Sequence, residues 1–187
     1  MLLLEIDEQP ITDAALVGIG VAIYGAGHQT TQDGLGGALY MLAADAGLQA
    51  RLRSDPALIP GAVEDFLRLD SPTQENVRQA AGDMCLHGRT IHKGDYIALN
   101  FAAANRDERQ FPNAETCIVD RSPNPHLAFG HGRHKCVGAA LARLEMRVAL
   151  EEILRKTRSF ELAEVPCPGR GSQFGGVSKL TLRLVAT

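Results

Sequence analysis

The chain has 187 residues, of which 45% are hydrophobic and 22% charged, and its formal net charge is −3. This composition is typical of a globular domain with a core of its own, and it lacks the basic excess that attracts nucleic acids or anionic membranes. Tryptophan is absent and aromatic residues make up only 5% of the chain, so an aliphatic core is expected.

The four cysteines, Cys85, Cys117, Cys136 and Cys167, are far apart in the sequence. This spacing excludes a C-x-x-C zinc or redox motif, and it favours a reducing compartment such as the cytoplasm. The first ten residues contain acidic residues but no basic ones, which is unlike a signal peptide.

The first predicted element is a long helix. Thr12 is a candidate N-cap, and the helical pattern runs from Ala14 to about Ala44. Its uncharged stretch, 14–27, is shorter than the ~20 residues that a membrane span needs. Each glycine inside a helix costs ~1 kcal/mol relative to alanine. The helix contains an excess of glycines: Gly18, Gly20, Gly25, Gly27, Gly34, Gly36 and Gly37. This excess indicates either close helix–helix packing or a large flat group that lies against the helix.

Two shorter helices are predicted next, at 47–53 and 59–69, each ended by a nearby proline. Asp65 and Arg68 are three residues apart on the second of these helices, so their side chains can pair. Such pairs usually lie on the surface and contribute little to stability.

Short strands are predicted between Glu75 and Phe101, separated by turns at His87-Gly88 and Lys93-Gly94. One or two helical turns are expected at 102–109. The segment 111–125 contains three prolines and is predicted to be a loop.

The clearest helical pattern runs from Val137 to about Lys156. Its apolar stripe consists of Leu141, Leu144, Val148, Leu150, Ile153 and Leu154. Alternating leucines from Leu180 to Leu184 predict a terminal strand. Together these elements predict a single domain over residues 1–187, mainly α with small β-sheets.

A glycine-punctuated loop precedes this last helix and brings Cys136 to its start. Gly130 and Gly132 allow the backbone to turn sharply and to approach a bulky planar group closely. The positive end of the helix dipole favours a thiolate over a thiol at Cys136. The loop therefore predicts a single sulfur ligand for a metal.

Two alternatives remain for this cysteine. One is an inert buried cysteine, and the other is a zinc site formed by His126, His131, His134 and Cys136. Neither alternative explains why glycine stands at 130, 132 and 138 together.

The segment Phe129–Gly138 fits the pattern F-x-x-G-x-(R/H)-x-C-x-G and resembles the heme-binding loop of the cytochrome P450 family, the heme-thiolate monooxygenases. The resemblance implies heme b as the cofactor and Cys136 as the axial ligand of its iron. It also implies further contacts with the cofactor, which pack against it, donate a hydrogen bond to a propionate or leave room for the porphyrin. The residues that make them are Phe129, Gly130, Gly132, His134 and Gly138.

The segment from Ala26 to Thr31, A-G-H-Q-T-T, is similar to the family's A-G-x-(D/E)-T-T motif. In the family this part of a long helix crosses the oxygen-binding face of the heme, which implies that Ala26 and Gly27 lie against the cofactor. The resemblance assigns Thr30 to holding and protonating bound oxygen. The acidic member of the family's proton relay aligns with Gln29, whose amide can orient water but cannot titrate.

Asp65 and Arg68 align with the family's E-x-x-R pair, with aspartate one methylene shorter than glutamate. The arginine that closes this pair in the family aligns with Thr116, and Arg121 is another arginine available to replace it. Arg78 aligns with a propionate-binding arginine. The alternative for Arg78 is a solvated residue at a sheet edge.

Four basic residues, Arg133, Lys135, Arg143 and Arg147, are expected on the cysteine side. The resemblance implies that a ferredoxin- or flavodoxin-type redox partner docks on this side. A solvated face without a partner is the alternative for each of them.

The family's domain is about twice as long as this chain, and Met1 aligns just before the central helix. The resemblance therefore implies the C-terminal part of the cytochrome P450 fold, with an apolar surface exposed where the N-terminal half would pack. The implied activity is a cytoplasmic monooxygenase that inserts one atom of O₂ into a small organic substrate. The alternative is a catalytically impaired heme-binding fragment, or a peroxide-dependent oxidase, that needs a complementary half. Neither nucleic acid nor a membrane is expected as a partner.

Overall fold

The computed structural model describes residues 5–6, 9–168 and 174–186. Within these residues the chain forms five α-helices and two short 3-10 helices, at Pro56–Leu58 and Gly132–His134. The α-helices are α1 (Asp13–Ala44), α2 (Ala46–Ser54), α3 (Ile59–Leu69), α4 (Phe101–Ala104) and α5 (Ala139–Lys156).

The described strands form five two-stranded antiparallel pairs, β1–β2, β3–β6, β4–β5, β7–β10 and β8–β9. Mixed secondary structure with small sheets was predicted and is confirmed. The strands are β1 (Glu5–Ile6), β2 (Gln9–Pro10), β3 (Glu75–Gln79), β4 (Met84–Leu86), β5 (Arg89–Ile91), β6 (Tyr96–Asn100), β7 (Thr157–Leu162), β8 (Cys167–Pro168), β9 (Val177–Lys179) and β10 (Leu182–Ala186).

The core lies between the second half of α1 and the helices α2, α3 and α5, with β7 at its edge. Its members are mostly aliphatic, as the composition predicted. They include Ala38, Leu42, Leu52, Ile59, Val63, Phe66, Met146, Leu150 and Phe160.

The helix α1 has two halves with different surroundings. Its start is capped as predicted, because the Thr12 hydroxyl accepts a hydrogen bond of 3.2 Å from the Ala15 amide. Residues 12–29 are all exposed, whereas the helix is buried at several positions from Asp33 onwards. The expected exposed apolar surface is found on the first half, at Leu16, Val17, Ile19, Val21, Ile23 and Tyr24.

The glycines of α1 divide in the same way. A Cβ at Gly34 would lie 3.3 Å from the Met146 sulfur, and one at Gly37 would collide with the Asp70 carboxylate. In contrast, a Cβ at Gly18, Gly20, Gly25 or Gly27 would meet nothing within 4 Å. Close packing therefore explains the glycines of the second half only.

The prediction for α5 is wrong in two respects. The helix begins at Ala139, two residues later than expected. Leu141, Leu144 and Val148, which belong to the predicted buried stripe, are exposed. The buried face is instead formed by Ala139, Met146, Leu150 and Leu154. The helix carries two apolar faces, and periodicity alone does not decide which of them packs.

The Asp65–Arg68 pair is not a surface pair, because both side chains are 0% exposed. The Asp65 carboxylate accepts hydrogen bonds from Arg68 Nε (2.6 Å), Arg121 Nε (2.9 Å) and the Ile118 amide (2.6 Å). Arg121 thus fills the place of the arginine that the family pattern puts at Thr116. Thr116 contributes its carbonyl oxygen, which accepts from Arg68 at 3.0 Å.

The remaining predictions of turns, short helices and strands are largely confirmed. His87, Gly88 and Gly94 have positive φ angles of 47°, 77° and 95° at the two expected turns. The segment after β6 forms one helical turn, α4, and the terminal strand begins at Leu182. Among the described residues, no helix is long and apolar enough to cross a bilayer.

Candidate functional site

The loop before α5 is folded back on itself by backbone hydrogen bonds. The Gly130 amide donates to the Leu127 carbonyl, and the Cys136 amide donates to the Phe129 carbonyl, both at 2.8 Å. Gly130 and Gly132 have φ angles of 67° and 65°, in the left-handed region that strains any residue with a Cβ. The two glycines are therefore needed for this turn.

Cys136 lies at the exposed end of this loop. The sequence predicted Cys136 directly before a helix that starts at Val137. Because α5 begins at Ala139, the cysteine stands in the turn before the helix, two residues further from its first residue than predicted. Its carbonyl still accepts a hydrogen bond of 3.4 Å from the Ala139 amide, which ties the cysteine to the helix. A Cβ at Gly138 would lie 3.9 Å from the Cys136 sulfur, and the Val137 side chain beside it is 97% exposed.

A cluster of charged and aromatic side chains supports the loop from the protein side. Arg143 of α5 makes a bidentate contact with Glu64 of α3, with N···O distances of 2.6 and 2.8 Å. Its guanidinium lies over the Phe129 ring at 4.3 Å from the centroid. The same Glu64 carboxylate is 2.9 Å from His126 Nε2. Arg143, whose side chain is 37% exposed, is therefore held in place by Glu64 and Phe129 and is not a free member of the predicted basic patch.

The charge balance of this cluster is visible in Glu64. Burial raises its pKa, but the hydrogen bonds from His126 and Arg143 and their charges outweigh burial and lower the pKa to about 2. On the other side, the hydrogen bonds to Glu64 raise the pKa of Arg143, and the nearby Cys136 adds to this increase. Arg143 is thus a permanent cation over the Phe129 ring, at the cysteine loop.

The second set of predicted residues lies on α1. The Thr30 hydroxyl donates to the Ala26 carbonyl at 2.7 Å, and Gln29 Nε2 donates to Asp33 Oδ1 at 2.8 Å. Asp33 is buried. The pKa of the neighbouring Asp70 is raised mainly by burial, and the charge of Asp33 adds to this increase. A carboxylate therefore stands one helical turn after the position where the family pattern places its acid.

The surface of α1 next to these residues is open. A Cβ at Gly27 would meet nothing within 4 Å, and Ala26 is exposed. This surface offers small side chains to a large group that lies flat on it.

The structure brings the loop residues Phe129 to Gly138 together, and separately Ala26 to Thr30. Arg78 joins neither set. It lies on β3, partly exposed, and its guanidinium donates to the neighbouring Val77 carbonyl at 2.9 Å. His134 is exposed in the 3-10 turn that precedes Cys136.

The two alternative roles for Cys136 are not supported. The cysteine is exposed, so it is not an inert core residue. The zinc alternative needs His126, whose ring is engaged with Glu64. Among the described residues, no group of three or more potential metal ligands comes together. The least exposed of the four cysteines is Cys117, which is half-buried and whose pKa burial raises to about 12.

These observations fit a bulky planar cofactor bound through one sulfur. The loop presents Cys136 outwards, Gly138 keeps side-chain atoms away from the sulfur, and small residues on α1 leave an open surface. A single sulfur donor with open surroundings suits a metal whose other ligands come from the cofactor.

Sequence reasoning missed Glu64 and Asp33 as parts of the site. Asp33 follows Gln29 by four residues, a helical spacing that signals contact. Glu64 and Arg143 are 79 residues apart, and no local pattern connects them.

Comparison with known proteins gives a consistent result. A protein family model described as "Cytochrome P450" matches residues 1–170. The chain is 38% identical over 179 residues to cytochrome P450-terp of a Pseudomonas species, covering 96% of this chain and 42% of the relative. It is 36% identical over 171 residues to a steroid C26-monooxygenase of Mycolicibacterium smegmatis, covering 91% of this chain and 43% of that protein.

Solved structures agree. The crystal structure of CYP108D1 from Novosphingobium aromaticivorans superposes with a TM-score of 0.93 and 41% identity, covering 98% of this chain and 45% of that one. P450BioI, crystallised with an acyl carrier protein carrying hexadec-9Z-enoic acid, gives a TM-score of 0.90 and 35% identity, with coverage of 94% and 46%. The chain thus spans less than half the length of these relatives.

Proposed function

This chain belongs to the cytochrome P450 family, and from that premise we propose that it is the C-terminal, heme-ligating part of a heme b monooxygenase, folded as a single domain over residues 1–187. The relatives named as monooxygenases or hydroxylases support the reaction class. Coverage of less than half of each relative supports the assignment to one part of the fold.

The observation that carries the proposal is the outward-facing sulfur of Cys136, held between glycines with positive φ and the start of α5. A cysteine thiolate is the ligand that this family uses for heme iron. Heme b, when bound, supplies the activation of O₂ that allows one oxygen atom to enter an organic substrate.

The chain's own residues would hold this group from several directions. Cys136 would ligate the iron, and Phe129 would shield the sulfur from water. His134 and Arg78 would hold the carboxylate side chains of the heme by hydrogen bonds and charge. The glycines at 130, 132 and 138 would leave room for the porphyrin, as would Ala26 and Gly27 on the opposite side.

Thr30 and Gln29 would manage protons and water on the oxygen side. Because the Thr30 hydroxyl proton is donated to Ala26 O, the lone pairs of its oxygen stay available to accept a hydrogen bond. Gln29 donates through Nε2 to Asp33, which leaves its Oε1 atom to accept one from water. The carboxyl group next to this amide is that of Asp33.

The proposed partners are a small organic substrate, O₂ and a ferredoxin- or flavodoxin-type protein that delivers electrons. Arg133 and Lys135 are exposed beside Cys136 and are suited to an acidic protein surface. The relative crystallised with an acyl carrier protein is a precedent for protein docking in this family. A cytoplasmic location, without a membrane or nucleic acid partner, belongs to the same proposal.

A second candidate function is favoured by Gln29. Because an amide cannot titrate, the chain is also a candidate for a heme-binding fragment with impaired O₂ chemistry, or for a peroxide-dependent oxidase, that requires a complementary half. The threonine at position 116 does not favour this alternative, since Arg121 closes the ion network around Asp65.

Carbon monoxide binding tests the proposed ligand. The purified chain is loaded with heme, reduced and exposed to CO, and the absorbance spectrum is recorded. A strongly red-shifted Soret band is expected for thiolate ligation, and Cys136→Ala should abolish it. Absence of heme uptake, or a band typical of histidine or neutral thiol ligation, would exclude the proposed function for this chain.

The two candidate functions separate by their oxidant. A monooxygenase is expected to convert a test substrate with NADPH and a redox partner, whereas the peroxide-dependent alternative turns over with H₂O₂ alone. Gln29→Glu restores a titratable side chain and is expected to increase the product formed per NADPH consumed. No change in this ratio would contradict the role given to position 29.

A further inference from the structure

Four side chains form a brace under the cysteine loop: Glu64, His126, Phe129 and Arg143. They come from α3, from the loop and from α5, so the brace joins three parts of the chain. The His126 side chain is only 2% exposed, and Glu64 is shared between its ring and the Arg143 guanidinium. The brace is thus an ordered cluster and not a chance surface contact.

The brace is connected to Cys136 through the backbone of Phe129. The carbonyl of Phe129 accepts the hydrogen bond of the Cys136 amide at 2.8 Å. The ring of the same residue is covered by the Arg143 guanidinium at 4.3 Å. A change in the position of Arg143 therefore acts on the residue that holds the Cys136 backbone.

Arg143 differs from the other cations on this side of the chain. Arg147, one turn further along α5, makes only a 3.7 Å contact with Glu151, and Arg133 and Lys135 are exposed. Arg143 is bidentate to Glu64 and stacked on the ring of Phe129, the residue whose carbonyl accepts the hydrogen bond of the Cys136 amide. It is therefore fixed in place, where a docking residue would be free.

We propose that Arg143 is a positioning residue for Cys136: Glu64 and Phe129 fix its guanidinium beside the loop, where it orders the Cys136 backbone and places a fixed positive charge near the heme-binding site. This inference rests on the proposed function of Cys136 as a heme ligand. Reduction of a thiolate-ligated heme adds negative charge to the centre, so a fixed cation nearby favours the reduced form and raises the reduction potential.

The positional part is tested on the full chain without heme, by hydrogen exchange of the Cys136 amide. We expect Arg143→Gln to accelerate this exchange about three- to fivefold, since it loses the stacking on Phe129 and the pairing with Glu64. Arg143→Lys is expected to accelerate it as well, because an ammonium group provides neither the planar stack nor the bidentate fork. Arg147→Gln is the matched control and should leave it unchanged.

The electrostatic part is tested on the heme-loaded chain, by equilibrium with a redox dye. We expect Arg143→Gln to shift the equilibrium about threefold towards the oxidised form, or ~28 mV for one electron. Arg143→Lys retains the charge and should keep a potential near that of the wild type. Arg147→Gln should again have no effect.

The outcomes are decisive in each arm. Unchanged exchange at Cys136 and an unchanged potential in Arg143→Gln would overturn the inference. An equal shift of potential in Arg147→Gln would also overturn it, because the effect would then be one of general surface charge. If the wild-type chain takes up no heme, the proposed function fails, while the exchange measurement still decides whether Arg143 positions the loop. If Arg143→Gln does not fold, Arg143→Lys provides the exchange comparison.

Discussion

Replacing Asp65 with asparagine tests the buried ion network that joins α3 to the loop before the cysteine. The carboxylate is fully buried and accepts hydrogen bonds from Arg68, Arg121 and the Ile118 amide. An amide of the same size removes the negative charge and turns one acceptor atom into a donor that faces other donors. Two buried guanidinium groups then remain without a countercharge.

The expected cost follows from the burial of these groups. Breaking a buried ion pair from one side costs about 3–5 kcal/mol of unfolding free energy. Arg121→Gln is less damaging, because Asp65 keeps Arg68 and the Ile118 amide, and the loss of a hydrogen bond to a charged group costs about 1.5–3 kcal/mol. For a domain of this size about 1 kcal/mol corresponds to ~2–4 °C in melting temperature. Asp65→Asn should therefore lower it by at least ~6 °C.

Urea unfolding followed by circular dichroism provides the measurement, with the slope of the transition checked for constancy between variants. Arg51→Gln is the matched control. Arg51 pairs at 2.8 Å with Asp120, in the same loop, but these side chains are 48% and 54% exposed. Such a pair is worth less than about 1 kcal/mol.

Two results would refute this reasoning. If Asp65→Asn costs no more than Arg51→Gln, burial of the network does not stabilise the fold. If Arg121→Gln costs as much as Asp65→Asn, the uncompensated charge is not the main source of the loss.

Three further predictions concern other parts of the chain. Between about pH 5 and 3 the wild type should lose more stability than Glu64→Gln. Folding lowers the pKa of Glu64 from 4.5 to about 2, so its contribution to stability is fully present above pH 4.5 and is lost as the pH falls towards 2. Urea midpoints at the two pH values check this, and equal losses in both proteins would contradict it. At about pH 8 a thiol reagent should label three of the four cysteines quickly and Cys117 only after unfolding, since burial raises its pKa to about 12; mass spectrometry of the labelled chain decides. Gly27→Ala should stabilise the heme-free chain by about 0.5–1 kcal/mol but weaken heme uptake. Gly37→Ala should destabilise the heme-free chain, because a Cβ at position 37 collides with a neighbour and one at position 27 does not. Thermal melts and heme titration measure these effects, and equal effects of the two variants on stability would contradict the division of α1.

Much of the fold was predictable because its signals are local. The Thr12 cap, the bounds of α3 and the turns at His87-Gly88 and Lys93-Gly94 depend on a few neighbouring residues, and the structure agrees with them. The loop before Cys136 was predictable for the same reason, since its glycines are required by the backbone angles at 130 and 132.

The features that were not predictable depend on contacts between distant residues. Arg121 lies 56 residues after Asp65; the sequence offers it as a replacement arginine, but only the folded chain shows that it reaches the carboxylate. The buried face of α5 depends on which helices surround it, and two apolar faces compete in the sequence. Arg143 was assigned to a docking surface because its partner Glu64 belongs to another helix.

The exposed first half of α1 has a consequence for how the oxygen-side residues become ordered. Among the described residues this segment has no buried side chain from Thr12 to Gln29, so it relies on its own hydrogen bonds, which are marginal at this length, and each of its four glycines weakens it by ~1 kcal/mol. Gln29 and Thr30 stand where this unsupported segment meets the packed half. A group or chain that covers the first half would therefore also order these two side chains. Part of its binding free energy would then offset the conformational entropy that this segment loses on becoming ordered.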